Sequence, residues 1–342
     1  MPHRTFLTFI LPSLFVMIVF IAMPIVSVAY QSLFVEHEKV MSSVQSCGPF
    51  GCTSEVRIDT AAMEKIREEQ PMGRFNWLGT YTNPGHLAFD EVAMIWRASP
   101  SIGAAILGIL NLPLYKALSF TIVYTFVVTP LAMALGFVIA VAVNAIPRII
   151  KGPVIFFSLL PMIVTPLIGS LILFWMIDSQ GVIGATLQRI FNDPQLSLKA
   201  SPTLTWVTLL VYGTWHSVPF SFVTFYAGLQ TLPKDTLESA MIDGASRFER
   251  IRFVVIPHLV PLATFVALMQ LMDNFRVFEP IIGFSASANA TSLSWLIFND
   301  LRSGDLPLFG SAAATSMLTI IGVVILLTPV LLRTWREFNR KA

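Results

Sequence analysis

Two short polar runs interrupt otherwise apolar stretches of the 342-residue sequence. The first is Trp215-His216-Ser217, followed by Pro219. The second holds Gln270, Asp273, Asn274 and Arg276. Such groups are expensive in hydrocarbon and usually face a cavity or a partner helix. Aromatic faces beside amides and carboxylates suit a polyhydroxyl ring, whose face stacks while its hydroxyls are hydrogen-bonded. Arg276 and His216 together would also suit an anionic group on such a ring. Blander readings stand beside these: His216 as a packing histidine between helices, and Asp273 with Arg276 as an ion pair at an outer rim. Asn144 and Tyr124 read as residues that join helices rather than line a path.

Other chemistries lack their residues. There is no Gly-x-x-x-x-Gly-Lys-Ser/Thr phosphate loop and no His-Glu-x-x-His pair. The two cysteines, Cys47 and Cys52, flank Gly48-Pro49, a turn signal. A small disulfide is expected if they lie outside the cytoplasm, with two free thiols as the alternative. Zinc-type spacing is missing, and no metal site is expected.

Composition sets the environment. Hydrophobic residues make up 55% of the chain and charged ones 12%, against about 45–50% and about 25% in a soluble domain. So little charge argues for a chain embedded in lipid. The net charge of +2 gives no reason to expect a nucleic-acid partner. The 22 prolines suggest bent helices around a pathway rather than a plain anchor.

Crossing hydrocarbon takes about 20 apolar residues per helix. Six stretches qualify: about Phe6–Tyr30, Ala117–Val143, Pro153–Ile177, Leu204–Leu229, Val254–Met272 and Gly310–Leu332. The first exceeds the apolar core of a signal peptide and reads as a retained helix. The expected fold is an all-α integral membrane protein with six transmembrane helices. Its divisions are a first helix over 1–30, an extracytoplasmic loop or cap over 31–116, and a core over 117–342. Within 31–116, a helix is expected near Ala61–Glu69, and residues 100–116 read as an interfacial helix leading into the second span.

Basic residues fix orientation. Arg148 and Lys151, then Lys234, Arg247, Arg250 and Arg252, then Arg333, Arg336, Arg340 and Lys341 all fall on the side of the N-terminus. The short loops opposite hold Arg189, Lys199, Arg276 and Arg302. Both termini are therefore expected in the cytoplasm.

The charged cytoplasmic loop 231–257 carries Leu237, Met241, Ala245 and Phe248 at helical spacing. That implies one amphipathic helix or two short linked ones. Gly244 implies a bend or a close backbone contact. An apolar ridge here would lie on the membrane surface or dock in a groove of a soluble partner.

At this point the sequence resembles a known family. Permease subunits of binding-protein-dependent ABC importers carry Glu-Ala-Ala, three residues, Gly, nine residues, then Ile-x-Leu-Pro. Here Glu238-Ser239-Ala240, Gly244 and Val254-Val255-Ile256-Pro257 stand at that spacing. The mild departures are Ser239, Val254 and Ile256. Leu232-Pro233-Lys234-Asp235, Asp243-Gly244-Ala245-Ser246, Phe275–Pro280 and Gly310–Ala314 look like the sugar-importing, maltose- and glycerol-phosphate-permease-like branch. The resemblance runs from about Ala117 to the C-terminus.

The resemblance implies an ABC type I importer permease fold in the inner membrane, translocating a sugar or sugar derivative. It implies that Glu238, Ser239, Ala240, Met241, Asp243, Gly244, Ala245, Phe248 and Pro257 belong to an element coupled to a separate ATPase. Small Ala240 and Gly244 would allow close approach of that partner, and Glu238 would accept hydrogen bonds. Solute contacts carried over by position are His216, Ser217, Phe220, Asp273, Asn274 and Val277, joining Trp215 and Arg276 from the polar runs. Val277 departs from the polar residue expected there. The implied partners are an ATPase dimer, which uses ATP and Mg, a second and different permease chain, and a periplasmic solute-binding protein. This chain would bind no cofactor and catalyse nothing by itself. An ion-gradient-driven secondary transporter of a small polar solute is the alternative, although spans one, two, three and six carry no charge at their centres.

Overall fold

A computed structural model describes residues 3–38, 40–48, 51–302 and 307–339. The chain divides into two compact units. One comprises Met1–Tyr115 with Leu296–Ile320, the other Lys116–Trp295 with Ile321–Ala342.

The second unit is built round the helix Pro202–Gln230. Ser201 caps it, Oγ accepting from the Leu204 amide at 3.2 Å, and Pro202 fills the first turn, where no N–H is needed. Its buried positions include Leu209, Tyr212, Val218, Phe222 and Phe225. They spread around the helix instead of forming one stripe, so neighbouring helices rather than lipid surround much of it. It packs against the helices Arg148–Ile163 and Ile256–Phe275. One core cluster joins Phe120, Tyr124 and Val128 to Leu209, Tyr212 and Ile281. A second joins Ala140 and Val143 to Phe222, Phe225, Leu259 and Val266.

Among the described residues, four helices are long and apolar enough to cross a membrane: Thr8–Gln31, Pro113–Ala145, Arg247–Phe275 and Phe309–Arg333. The expected third span is instead two helices, Arg148–Ile163 and Pro166–Met176, bent by 94°. Val164 and Thr165 between them are extended, with ψ of 124° and 144°. Pro166 accounts for Thr165, because its ring disfavours the helical conformation in the residue directly before it. Taken as one broken span, the pair is a fifth. The expected fourth span is helical throughout, but its Thr, Ser, Trp and His residues keep it outside the apolar set. By length and apolarity alone, four of the six expected spans stand among the described residues, or five with the broken pair.

Both five-residue π-helical turns end two residues before a proline. Ile18–Ala22 precedes Pro24, and Ile251–Val255 precedes Pro257. Proline offers no N–H to the preceding turn, and a widened turn absorbs the missing bond without ending the helix.

The first unit is not all helical, which corrects the all-α expectation locally. Strands Met41–Gly48 and Gly51–Ile58 pair antiparallel, and Phe34–Val35 pairs with Arg74–Phe75. The long hairpin is polar on both strands, so no apolar alternation announced it. Its register places the Cys47 backbone opposite Cys52. The disulfide expected there concerns side chains outside the described residues, as Arg340 and Lys341 do in the basic-residue pattern. The helix Thr60–Glu69 forms as expected, with Asp59 accepting from the Ala62 amide at 3.0 Å. Ile102–Leu110 forms the short apolar helix expected before the second span.

Three acidic or imidazole groups of this unit meet the start of the last helix. Glu36 Oε1 accepts from the Gly310 amide at 2.6 Å. His86 Nε2 lies 3.1 Å from both the Ser311 carbonyl and Thr315 Oγ1. Ser311 donates its hydroxyl to Asp300 at 2.6 Å. The amides at a helix start lack internal partners, and Glu36 supplies one.

Candidate functional site

The second unit encloses a cavity of about 570 Å³. The helix Pro202–Gln230 contributes Tyr212, Gly213, His216, Ser217 and Phe220. Their spacing of three and four places them on one face. The span that ends at Phe275 contributes Gln270, Asp273 and Asn274, and the turn after it adds Arg276, Val277, Glu279 and Pro280. Tyr124 enters from Pro113–Ala145, and Met162 and Pro166 from the broken pair. The break is held by Tyr212, whose hydroxyl donates to the Pro166 carbonyl at 2.7 Å. Gly213 makes room for Tyr124: a Cβ there would stand 2.1 Å from the Tyr124 hydroxyl oxygen.

Polar atoms in the cavity are partly tied and partly free. Asn274 donates to Thr129 Oγ1 at 2.9 Å, joining the fifth expected span to the second. Gln270, 4% exposed, donates its amide to the Ser217 carbonyl at 3.0 Å and to Ser221 Oγ at 2.7 Å. Its Oε1 is buried without a partner, and so is His216 Nε2. A buried polar atom left unmatched is costly unless something else fills the place. The His216 ring lies 6.1 Å from that of Tyr212. Arg276 pairs with Asp273 at 2.8 Å, and both are exposed. The rim ion pair is therefore what forms, in residues that also line the cavity.

Seven of the eight solute-contact candidates line this one cavity: His216, Ser217, Phe220, Asp273, Asn274, Arg276 and Val277. Trp215 does not. It is 47% exposed and lies along apolar grooves with Val207, Val211 and Ile172. One residue before His216 means a turn of about 100° round the helix, which carries it off the cavity face. Tyr124, expected to join helices, lines the cavity. Asn144 does join helices, accepting from Gln230 Nε2 at 3.1 Å. Tyr212, Gly213 and Glu279 were missed. The helical spacing from His216 back to Tyr212 was the signal for the first two, and Glu279 lacked one, lying beyond the span at the start of the short helix Glu279–Gly283.

The 231–257 segment folds as two linked helices, Lys234–Ile242 and Arg247–Arg250. Gly244 between them has φ of +80°, and a Cβ there would meet nothing within 4 Å. Gly is needed for the left-handed backbone and not, within this chain, for close approach. The expected single stripe is split by that bend. Leu237 turns inward against the second core cluster, while Met241, Ile242 and Phe248 are exposed, Phe248 at 70%. Glu238, Ser239 and Asp243 are exposed as well, with Ala240 and Ala245 half-buried. Ser246 and Glu249 form a reciprocal cap. From Arg247 the chain runs as one 29-residue helix to Phe275, with Pro257 at the start of its α-helical part.

The comparisons with known proteins agree on one kind of molecule. The chain is 34% identical over 139 residues to the trehalose/maltose transport system permease protein MalF of Thermococcus litoralis, covering 40% of this chain and 46% of that one. It is 30% identical over 218 residues to the sn-glycerol-3-phosphate transport system permease protein UgpA of Brucella suis, covering 61% of this chain and 71% of that one. The chain thus spans less than half the length of the first relative. Its fold is similar to that of a bacterial ABC transporter involved in import of the acidic polysaccharide alginate, with a TM-score of 0.61 at 18% identity, over 73% of this chain and 90% of that one. Residues 129–336, more than half of the chain, match the model described as the binding-protein-dependent transport system inner membrane component. By that match, the chain belongs to the family of binding-protein-dependent inner-membrane permeases.

Proposed function

We propose that this chain is the membrane-embedded subunit of an ATP-driven importer that carries a sugar or sugar derivative. The observation that carries the reading is the cavity of about 570 Å³, where Gln270 Oε1 and His216 Nε2 stand buried without partners. A polyhydroxyl solute would satisfy both, since its hydroxyls can donate to each. Tyr124, Tyr212 and Phe220 would offer ring faces to its apolar side. Names of relatives that refer to trehalose, maltose and glycerol phosphate support the sugar class.

The energy would come from outside this chain. ATP and Mg would be used by a separate ATPase dimer seated on the exposed residues of the 231–257 element, among them Met241, Ile242 and Phe248. A second, different permease chain would complete the path, and a periplasmic binding protein would deliver the solute. The subunit would sit in the inner membrane with both termini cytoplasmic and would itself catalyse nothing. Mechanically, closure of the ATPase pair would move the two short helices, and the helix Arg247–Phe275 would carry that motion to the cavity. ATP and the loaded binding protein must interact differently with the inward- and outward-open states, otherwise nothing moves.

The test is uptake by the complete complex in liposomes, with its binding protein outside and ATP inside. Radiolabelled maltose, trehalose and sn-glycerol-3-phosphate are the probes. Saturable accumulation of at least one supports the reading. Accumulation of an amino acid or a metal ion instead, with no sugar taken up, overturns it.

A further inference from the structure

Donors and acceptors are unequally divided over the cavity wall. The Gln270 side chain can be oriented without ambiguity. The Ser217 carbonyl only accepts, so the atom 3.0 Å from it must be the amide nitrogen. The unmatched atom is then Oε1, which can only accept. Glu279 lines the same cavity, and an ionised carboxylate also only accepts. Arg276 is the basic residue on the wall, and it is partly engaged. Its Nη2 donates to Asp273 at 2.8 Å and its Nε to the Met272 carbonyl at 3.3 Å. Asp273 and Glu279 against Arg276 leave the wall negative, and Asp273 takes up the one guanidinium.

We infer that the cavity selects an uncharged, hydroxyl-rich solute and discriminates against an acidic one, with Gln270 Oε1 and Glu279 as the specificity-determining acceptors. The inference rests on the sugar reading above and narrows it. A carboxylate or phosphate would set acceptor against acceptor at Gln270 and like charge against like at Glu279. Hydroxyls of a neutral sugar would donate to Gln270 Oε1 and to His216 Nε2, the other ring nitrogen of His216 already donating to the Val164 carbonyl. Arg276 keeps donors beyond those given to Asp273 and the Met272 carbonyl, but an anion they drew in would share the wall with two carboxylates, Asp273 and Glu279. On this point the chain differs from what the name of the Brucella relative indicates for that protein, whose solute is a phosphate ester.

The charge preference can be read without knowing the solute. Ser217→Cys is introduced in the complete permease–ATPase complex, reconstituted in nanodiscs. Its rate of modification is measured with an uncharged hydroxyethyl, an anionic sulfonatoethyl and a cationic trimethylammonium-ethyl methanethiosulfonate. Rates are divided by those for a free thiol, and the unsubstituted complex, which carries Cys47 and Cys52, gives the background. The expected result is ready reaction with the uncharged reagent and about tenfold slower reaction with the anionic one, the size expected for a single like charge in a partly wet site. In the same background, Glu279→Gln should bring the anionic rate to within about threefold of the uncharged one. An anionic rate equal to the uncharged one overturns this inference alone, as does a gap that Glu279→Gln leaves unchanged. Failure of the uncharged reagent to react overturns the solute-accessible cavity itself, and with it the sugar reading.

Discussion

Ser246 and Glu249 hold each other in place at the start of the helix that ends in the cavity. Glu249 Oε2 accepts from the Ser246 amide at 2.7 Å, and Ser246 Oγ accepts from the Glu249 amide at 3.3 Å. From there 29 residues run as one helix to Phe275, about 43 Å at 1.5 Å per residue. Gln270, Asp273 and Asn274 sit on its last turns. A push on the segment before Ser246 would therefore reach the cavity along a rod, not through a chain of loops.

That rod needs its near end fixed. Ser246→Ala should cost about 1 kcal/mol of local helix stability and lower the solute moved per ATP hydrolysed, with the protein still inserted and assembled. Transport and ATPase activity measured together in liposomes check this. An unchanged ratio would show that the cap has no part in coupling.

Two substitutions at Gly244 separate backbone strain from partner contact. Gly244→Ala meets no atom of this chain, so its cost is the left-handed conformation alone, about 1 kcal/mol. Asn tolerates that conformation better than Ala. Uptake should therefore fall less with Gly244→Asn than with Gly244→Ala. The reverse order would mean that the ATPase packs against this position and that side-chain size governs.

In the cavity, His216→Ala and Asn274→Ala should each lower solute-stimulated ATPase activity by about tenfold, the scale of one lost hydrogen bond in a buried site. Trp215→Ala, one residue away but on the outer face, should stay within about twofold. Equal losses at Trp215 and His216 would contradict the assignment of faces.

Asp300 offers a check on the first unit. Burial raises its carboxyl above the usual range, although Ser311 donates to it. A raised folded value means the unit is most stable below the ordinary aspartate value of about 3.9 and loses stability as pH rises through the raised one. Asp300→Asn removes that dependence and keeps an acceptor for Ser311. Thermal unfolding of the purified protein at pH 5 and pH 8 should show a smaller difference for the variant than for the wild type.

How far the sequence could be read differs by element. Long apolar runs marked the spans at 8–31, 113–145 and 309–333, because lipid leaves no choice but helix for such segments. Pro161 and Pro166 were visible too, but the 94° bend depends on which neighbour catches the freed backbone, here Tyr212. The hairpin 41–58 was illegible, since polar strands carry no alternating signal. Cavity residues were found where a polar type stood out inside an apolar run, as with His216 and Asn274. Trp215 misled because residue type was weighed without the helical angle, and Tyr212 was overlooked because a tyrosine in an apolar helix reads as packing. Gly244 was noticed, yet its reason is a positive φ, which no sequence states.

The central claim is that this chain moves solute only when a nucleotide-hydrolysing partner works through residues 231–257. The most direct measurement is uptake of the identified sugar into liposomes holding the permease chains with and without the ATPase, each with ATP, with ADP and with an imposed proton or sodium gradient. Accumulation is predicted only with ATPase and ATP together, and its loss with Ser246→Ala should exceed any loss of assembly. Gradient-driven accumulation by the permease chains alone would contradict the account.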